Sequence, residues 1–171
     1  MKKKFDDIFN KLIGIKNYDH RQFIIQLEQW VNQISHFYNV IVKEGQNPSK
    51  VIYKIPLSLR PKVGQVAYIN LRRGYPKEIF DGHWCYILSD FGSKYIIVPI
   101  TSEKSDSPPL DERFEMYIDI IGFENGIKRR LQITDIRSID IMRVHTGKKP
   151  YDVNTDISLI RNKVSKILFD I

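Results

Sequence analysis

From Gly64 onward the chain breaks into six short runs of β type with no helical period between them: "QVAYINL", "HWCYILSD", "KYIIVPI", "FEMYIDII", "RRLQIT" and "IRSIDIMRV". Brief apolar or alternating runs separated by turns are strand signals. Strands that follow one another without crossover helices pair antiparallel. A compact barrel or curled antiparallel sheet is therefore expected, since closure limits exposed edges. "KYIIVPI" is the most demanding run. Tyr95 to Pro99 read as a strand buried on both faces, and the run ends abruptly in Ile100-Thr101-Ser102 before a charged loop. Those two hydroxyls either terminate the strand or line a site. Asp90-Phe91-Gly92-Ser93 is expected to make a tight hairpin, and Glu124-Asn125-Gly126 a second turn.

Helices flank this β region. Phe5, Ile8, Phe9, Leu12 and Ile13 recur at helical spacing, as do Phe23, Leu27, Trp30, Val31, Ile34 and Phe37. Asp19 is placed to cap the second helix, with Gln22 completing a capping-box pattern. A stripe carrying Trp30 needs a cover, either its own domain or a partner. "KEGQNPSK" breaks the pattern, and "KIPLSLRPKVG" reads as an extended connector. Asp156 caps a C-terminal helix whose apolar face carries Ile157, Ile160, Val164, Ile167 and Leu168. The expected organisation is an N-terminal helical extension and connector over residues 1–55, then a barrel domain with its C-terminal helix over 56–171.

Composition narrows the class. The chain has 171 residues, 42% of them hydrophobic and 12% aromatic, enough for a folded domain with a core. No stretch approaches the roughly 18 apolar residues of a membrane helix, and Met1-Lys2-Lys3-Lys4-Phe5 lacks the apolar core of a secretory signal. A single cysteine and four histidines make neither an internal disulfide nor a standard structural zinc site. A cytoplasmic protein without metal or cofactor is expected, with no membrane partner. The net charge of +7 is compatible with a polyanionic partner, nucleic acid or acidic protein.

Three stretches carry more specific information, in this order: "KVGQVAYINL", the pair "HWCYILSDFGSKYIIVPITS", and "ITDIRSIDIMRV". Over about residues 62–145 they resemble the MazF/PemK family of toxin endoribonucleases. The matching features are the opening strand, the paired strands ending in Pro99-Ile100-Thr101-Ser102, and the element with Arg137, Ser138 and Asp140 in register. The resemblance implies an SH3-like barrel of the MazF/PemK/CcdB kind, dimeric, with an antitoxin protein as partner. It also implies metal-independent cleavage of single-stranded RNA, with the RNA's own 2′-hydroxyl as nucleophile. Thr101 matches the family's threonine. The family's arginine sits in a Gly-x-Arg-Pro context, and here Gly82-His83-Trp84 puts His83 in its place and Trp84 in that of the proline.

His83 and Thr101 are accordingly the candidate catalytic pair, since histidine suits proton transfer near neutral pH. In "RRGYPKEIFDG", Arg72 and Arg73 suit phosphates while Tyr75 and Phe80 suit stacking on splayed bases. Ser102 and Arg137 complete the candidate substrate-binding set. An arginine so near Asp140 also points to an ion pair. Lys128, Arg129 and Arg130 form a second basic cluster, which either lines a groove or guards an edge strand. A silent barrel that binds RNA or a protein partner is the alternative reading.

Overall fold

The computed structural model describes residues 1–123 and 126–169, and the expected turn at Glu124-Asn125 lies outside the described residues. The chain divides into two compact units, Met1–Ser49 and Lys50–Ile171. The first consists of α1 (Lys2–Ile13) and α2 (His20–His36), the latter continuing in a wide turn through Phe37–Ile41. Asp19 caps α2 as expected, its carboxylate accepting from the Gln22 N–H at 2.9 Å. Much of the apolar surface of this unit stays open: Phe5, Ile8, Trp30, Val31 and Ile34 are exposed, while Leu12, Phe23, Leu27 and Phe37 are partly covered.

The second unit is mainly β, a curled antiparallel half-barrel followed by one helix. Its strands are β1 (Gln65–Asn70), β2 (Gly82–Asp90), β3 (Lys94–Ser102), β4 (Glu115–Ile118), β5 (Arg129–Gln132), β6 (Arg137–Asp140) and β7 (Tyr151–Asp152). They run in the order β4-β5-β3-β2-β1-β7, with β6 pairing β3 off that path. Asp90 and Lys94 flank the expected hairpin, where Gly92 adopts φ +83° and donates to the Asp90 carboxylate at 2.7 Å. Arg60 pins the turn from outside through Asp90 at 2.8 Å and the Gly92 carbonyl at 2.8 Å.

β3 is the organising strand. Its first half pairs with β6, Tyr95 opposite Ile139, and its last residues pair with β5, Thr101 opposite Arg130. Pro99 sits between the two partnerships, after Ile97 has left β6 and before Ile100 takes up β5. A residue without an N–H is tolerated where a ladder changes hands. Alternate side chains then enter different cores. Ile69, Cys85, Ile87, Tyr95, Ile97, Ile139 and Ile141 form one, to which Ile55 also belongs. Val66, Tyr86, Val98, Ile100, Leu131 and Ile133 form the other, covered by Ile160 and Val164. These last two lie on α3 (Ile157–Phe169), capped by Asp156, which accepts from the Ser158 N–H at 2.6 Å. Two isolated bridges, Ile69 to Val144 and Ile120 to Val153, bring the ends of the curl toward each other.

Burial on both faces is thus what the unbroken apolar run of β3 requires. Leu131 is fully buried at the centre of the second core. Leu131→Ala is expected to lower stability by about 2–5 kcal/mol. Ser138→Ala, on the exposed side of β6, should stay within about 0.5 kcal/mol. Urea unfolding of the two variants compares them.

Candidate functional site

The β2–β3 register runs Ile87 with Ile97, Tyr86 with Val98 and Cys85 with Pro99. Two residues further along each strand stand His83 and Thr101. Side chains two apart share a face, so the pair fall on the Cys85–Pro99 side just beyond the end of the ladder. A cleft of about 500 Å³ opens there, lined by His83, Thr101 and Ser102 together with Tyr68, Lys104 and Arg130. Gly82, Trp84, Ile100, Ser107, Pro108 and Glu115 complete the lining. The loop after β3 therefore forms part of the site.

Thr101 is oriented from behind. The Gln132 side-chain N–H₂ donates to the Thr101 hydroxyl at 2.9 Å and to the Glu115 carboxylate at 2.7 Å. A hydroxyl carries one donor and two acceptor lone pairs. With Gln132 occupying an acceptor position, the Thr101 proton is available to a group in the cleft. Beside it, the Arg130 guanidinium bonds to Glu103, to the Pro108 carbonyl at 2.8 Å and to Glu115 at 3.3 Å. Arg130 holds the Glu103 carboxyl below its ordinary range, with help from the Tyr117 hydroxyl.

His83 is half-buried, and its Nδ1 has no hydrogen-bond partner among the described residues. Burial pushes its imidazole below the ordinary value of 6.5, against the pull of the Phe80 carbonyl and the Asp81 charge, while the Arg137 charge adds to the lowering. The ring is thus neutral at pH 7, the form that accepts a proton.

Gly82 sets the approach of the neighbouring ring. A Cβ there would lie 2.3 Å from the Tyr68 hydroxyl and 2.7 Å from the ring, so only glycine lets Tyr68 close over the start of β2. Tyr68 lies opposite Trp84 in the β1–β2 ladder, their rings 5.4 Å apart and edge-on.

The other sequence candidates fall elsewhere. Arg73 pairs with Asp81 at 2.6 Å and lies over the Phe80 ring at 4.5 Å. Arg72 adopts φ +64°, its N–H held by the Asn70 side chain at 2.9 Å. Tyr75 is 80% exposed. Arg137 bonds Asp135 at 3.0 Å and the Ile79 carbonyl at 3.1 Å, while Asp135 also takes the Ile79 N–H at 3.1 Å. The ion pair expected with Asp140 is not the one made, because residues three apart on a strand point to opposite faces. Asp140 instead caps the following turn through the Met142 N–H at 2.8 Å. Arg73 and Arg137 brace the β1–β2 loop, and neither they nor Arg72 and Tyr75 belong to the lining of the cleft.

Arg129 and Arg130 do not guard an edge. β5 lies between β4 and β3, and the two residues are only 4% and 3% exposed. Sequence reasoning missed Arg130, Gln132, Glu115 and Lys104 as neighbours of Thr101. Their signal is the β3–β5 register, which depends on pairing between distant segments. Among the described residues no three His, Cys, Asp or Glu side chains gather as metal ligands, and no helix is long and apolar enough to cross a membrane.

Two outcomes follow from this geometry. Gly82→Ala should displace Tyr68 at a cost of about 1–3 kcal/mol, visible as a lowered urea midpoint and an altered tyrosine signal in near-UV circular dichroism. Since the folded protein holds His83 below 6.5, the unfolded chain binds more protons in acid. The stability associated with His83 is fully present above 6.5 and is lost as pH falls from there toward the lowered folded value. His83→Gln should therefore lose less stability than the wild type between about pH 7.5 and 5.5, whereas parallel profiles would remove this assignment. Neither a protein-family model nor a curated protein matches the chain.

Proposed function

We propose that this chain is a toxin-like endoribonuclease of the MazF/PemK type, an SH3-like barrel that cleaves single-stranded RNA without a metal. The observation that carries the reading is the meeting of His83 and Thr101 in one cleft. The two partnerships of β3 and the bridges at Ile69 and Ile120 support an SH3-like closure. A homodimer and a protein antitoxin belong to the same proposal, by the sequence resemblance.

In this reading neutral His83 takes the proton of the RNA 2′-hydroxyl. The 2′-oxygen forms a bond to phosphorus while the bond from phosphorus to the 5′-oxygen breaks. The proton held by His83 then passes to the leaving 5′-oxygen, giving a 2′,3′-cyclic phosphate and a 5′-hydroxyl. Thr101 donates its free proton to a phosphate oxygen, and Lys104 and Ser102 at the rim add charge and a donor as negative charge builds. Arg72, Arg73 and Arg137 contribute through the adjoining loop, steering RNA and fixing the field at His83, with Tyr75 available for stacking.

One observation favours the other reading, a silent barrel that binds RNA or a protein. The guanidinium beside Thr101 is already engaged by Glu103 and Glu115. Incubation of a long single-stranded RNA with the purified chain in EDTA separates the two. Cleavage should survive chelation and fall by about a hundredfold or more in His83→Ala, with Thr101→Ala also impaired. An intact RNA after incubation with folded wild type would support the silent barrel.

A further inference from the structure

The aromatic side of the cleft is used by none of these steps. Tyr68 and Trp84 line it together with Thr101, Ser102 and Lys104. Trp84 is wedged in place by Phe123 at 4.9 Å and Tyr151 at 5.2 Å, both edge-on, and these rings pack against the second core. Tyr68 is held between Trp84 and His145, whose rings lie 5.4 and 5.8 Å away, and its hydroxyl rests on Gly82. The result is a rigid aromatic surface beside a wall of hydroxyls and cations.

We propose that the Tyr68–Trp84 pair is a stacking site for one base of a single-stranded nucleic acid, with the adjoining phosphate toward Thr101, Ser102 and Lys104. The inference rests on the nucleic-acid reading of the cleft and is independent of cleavage. A planar base next to an anion matches an aromatic surface next to donors and positive charge. A cationic ligand is disfavoured by Lys104 and Lys148 around the same opening, where Arg130 and Glu115 offset one another. The Lys148 ammonium lies 3.4 Å from the Tyr68 ring centroid and 5.6 Å from that of Trp84. Lys148 is exposed on a flexible stem, and a cation–π contact at an exposed site is weaker than base–aromatic stacking. The base displaces the ammonium, which moves to a flanking phosphate.

The test uses the full chain carrying Trp30→Phe, so that Trp84 is the remaining tryptophan, and a short single-stranded 2′-deoxy oligonucleotide, which 2′-hydroxyl chemistry cannot cleave. Titration should quench Trp84 fluorescence saturably, and Tyr68→Leu should weaken affinity by about tenfold or more. The wild-type ring carries the first readout, so the proposal stays testable if Tyr68→Leu folds poorly. Absence of binding, or saturable binding with Trp84 fluorescence unchanged, overturns it. Quenching by a protein that leaves RNA intact retains the stacking site while removing the nuclease reading. Cleavage of RNA without quenching by the oligonucleotide does the reverse.

Discussion

The structure depends on the double burial of three strands. β1, β2 and β3 send alternate side chains into two cores, so neither face of this central sheet can turn to solvent without losing one of them. The two demands are met because β3, paired with β2 on one edge, is longer than either partner on its other edge. It lies against β6 at its start and β5 at its end, with Pro99 at the exchange. The sheet curls there, and the β2–β3 ladder comes to its end at the same place. His83 and Thr101 are the first same-face pair beyond it. The cleft is thus a consequence of how the strand changes partners.

Two polar networks hold the opposing sides of this opening. Behind Thr101, Gln132 joins the hydroxyl to Glu115, and Arg130 joins Glu115 to Glu103 and the Pro108 carbonyl. A buried arginine must be paired and hydrogen-bonded to be tolerated, so these contacts tie the loop after β3 to the strand. Behind His83, Arg137 and Asp135 brace the loop at Ile79, and Arg73 pairs with Asp81. The first network leaves a hydroxyl proton to donate. The second, with burial, leaves an imidazole ready to accept one.

The local parts of this arrangement are legible in the sequence. The Asp19 cap, the hairpin at Asp90–Ser93 and the two-sided run from Tyr95 follow from short-range chemistry. Counting outward from that hairpin, however, sets His83 opposite Ser102, and only a register shift between Ile87 and Ser89, which the sequence does not announce, brings it opposite Thr101. What is not legible is the pairing of β3 with β5 and β6, which brings Arg130 and Gln132 to Thr101 from about thirty residues away. The same gap explains why the groove and edge readings of Arg129 and Arg130 stay open in the sequence, because edge or interior status depends on which strands flank β5. Tyr151–Asp152 escaped notice as β7 because two residues carry no period. The loop arginines Arg72 and Arg73 and exposed Tyr75 have a composition suited to RNA, yet their positions follow from turn geometry and ion pairs.

The most direct measurement is nuclear magnetic resonance of the wild-type chain titrated with a 2′-O-methylated single-stranded RNA, which binds without being cleaved. The His83 ring protons and the Thr101 methyl should shift together, with a common dissociation constant. Shifts confined to the loop around Tyr75, with His83 and Thr101 unmoved at saturation, would contradict a substrate cleft between β2 and β3.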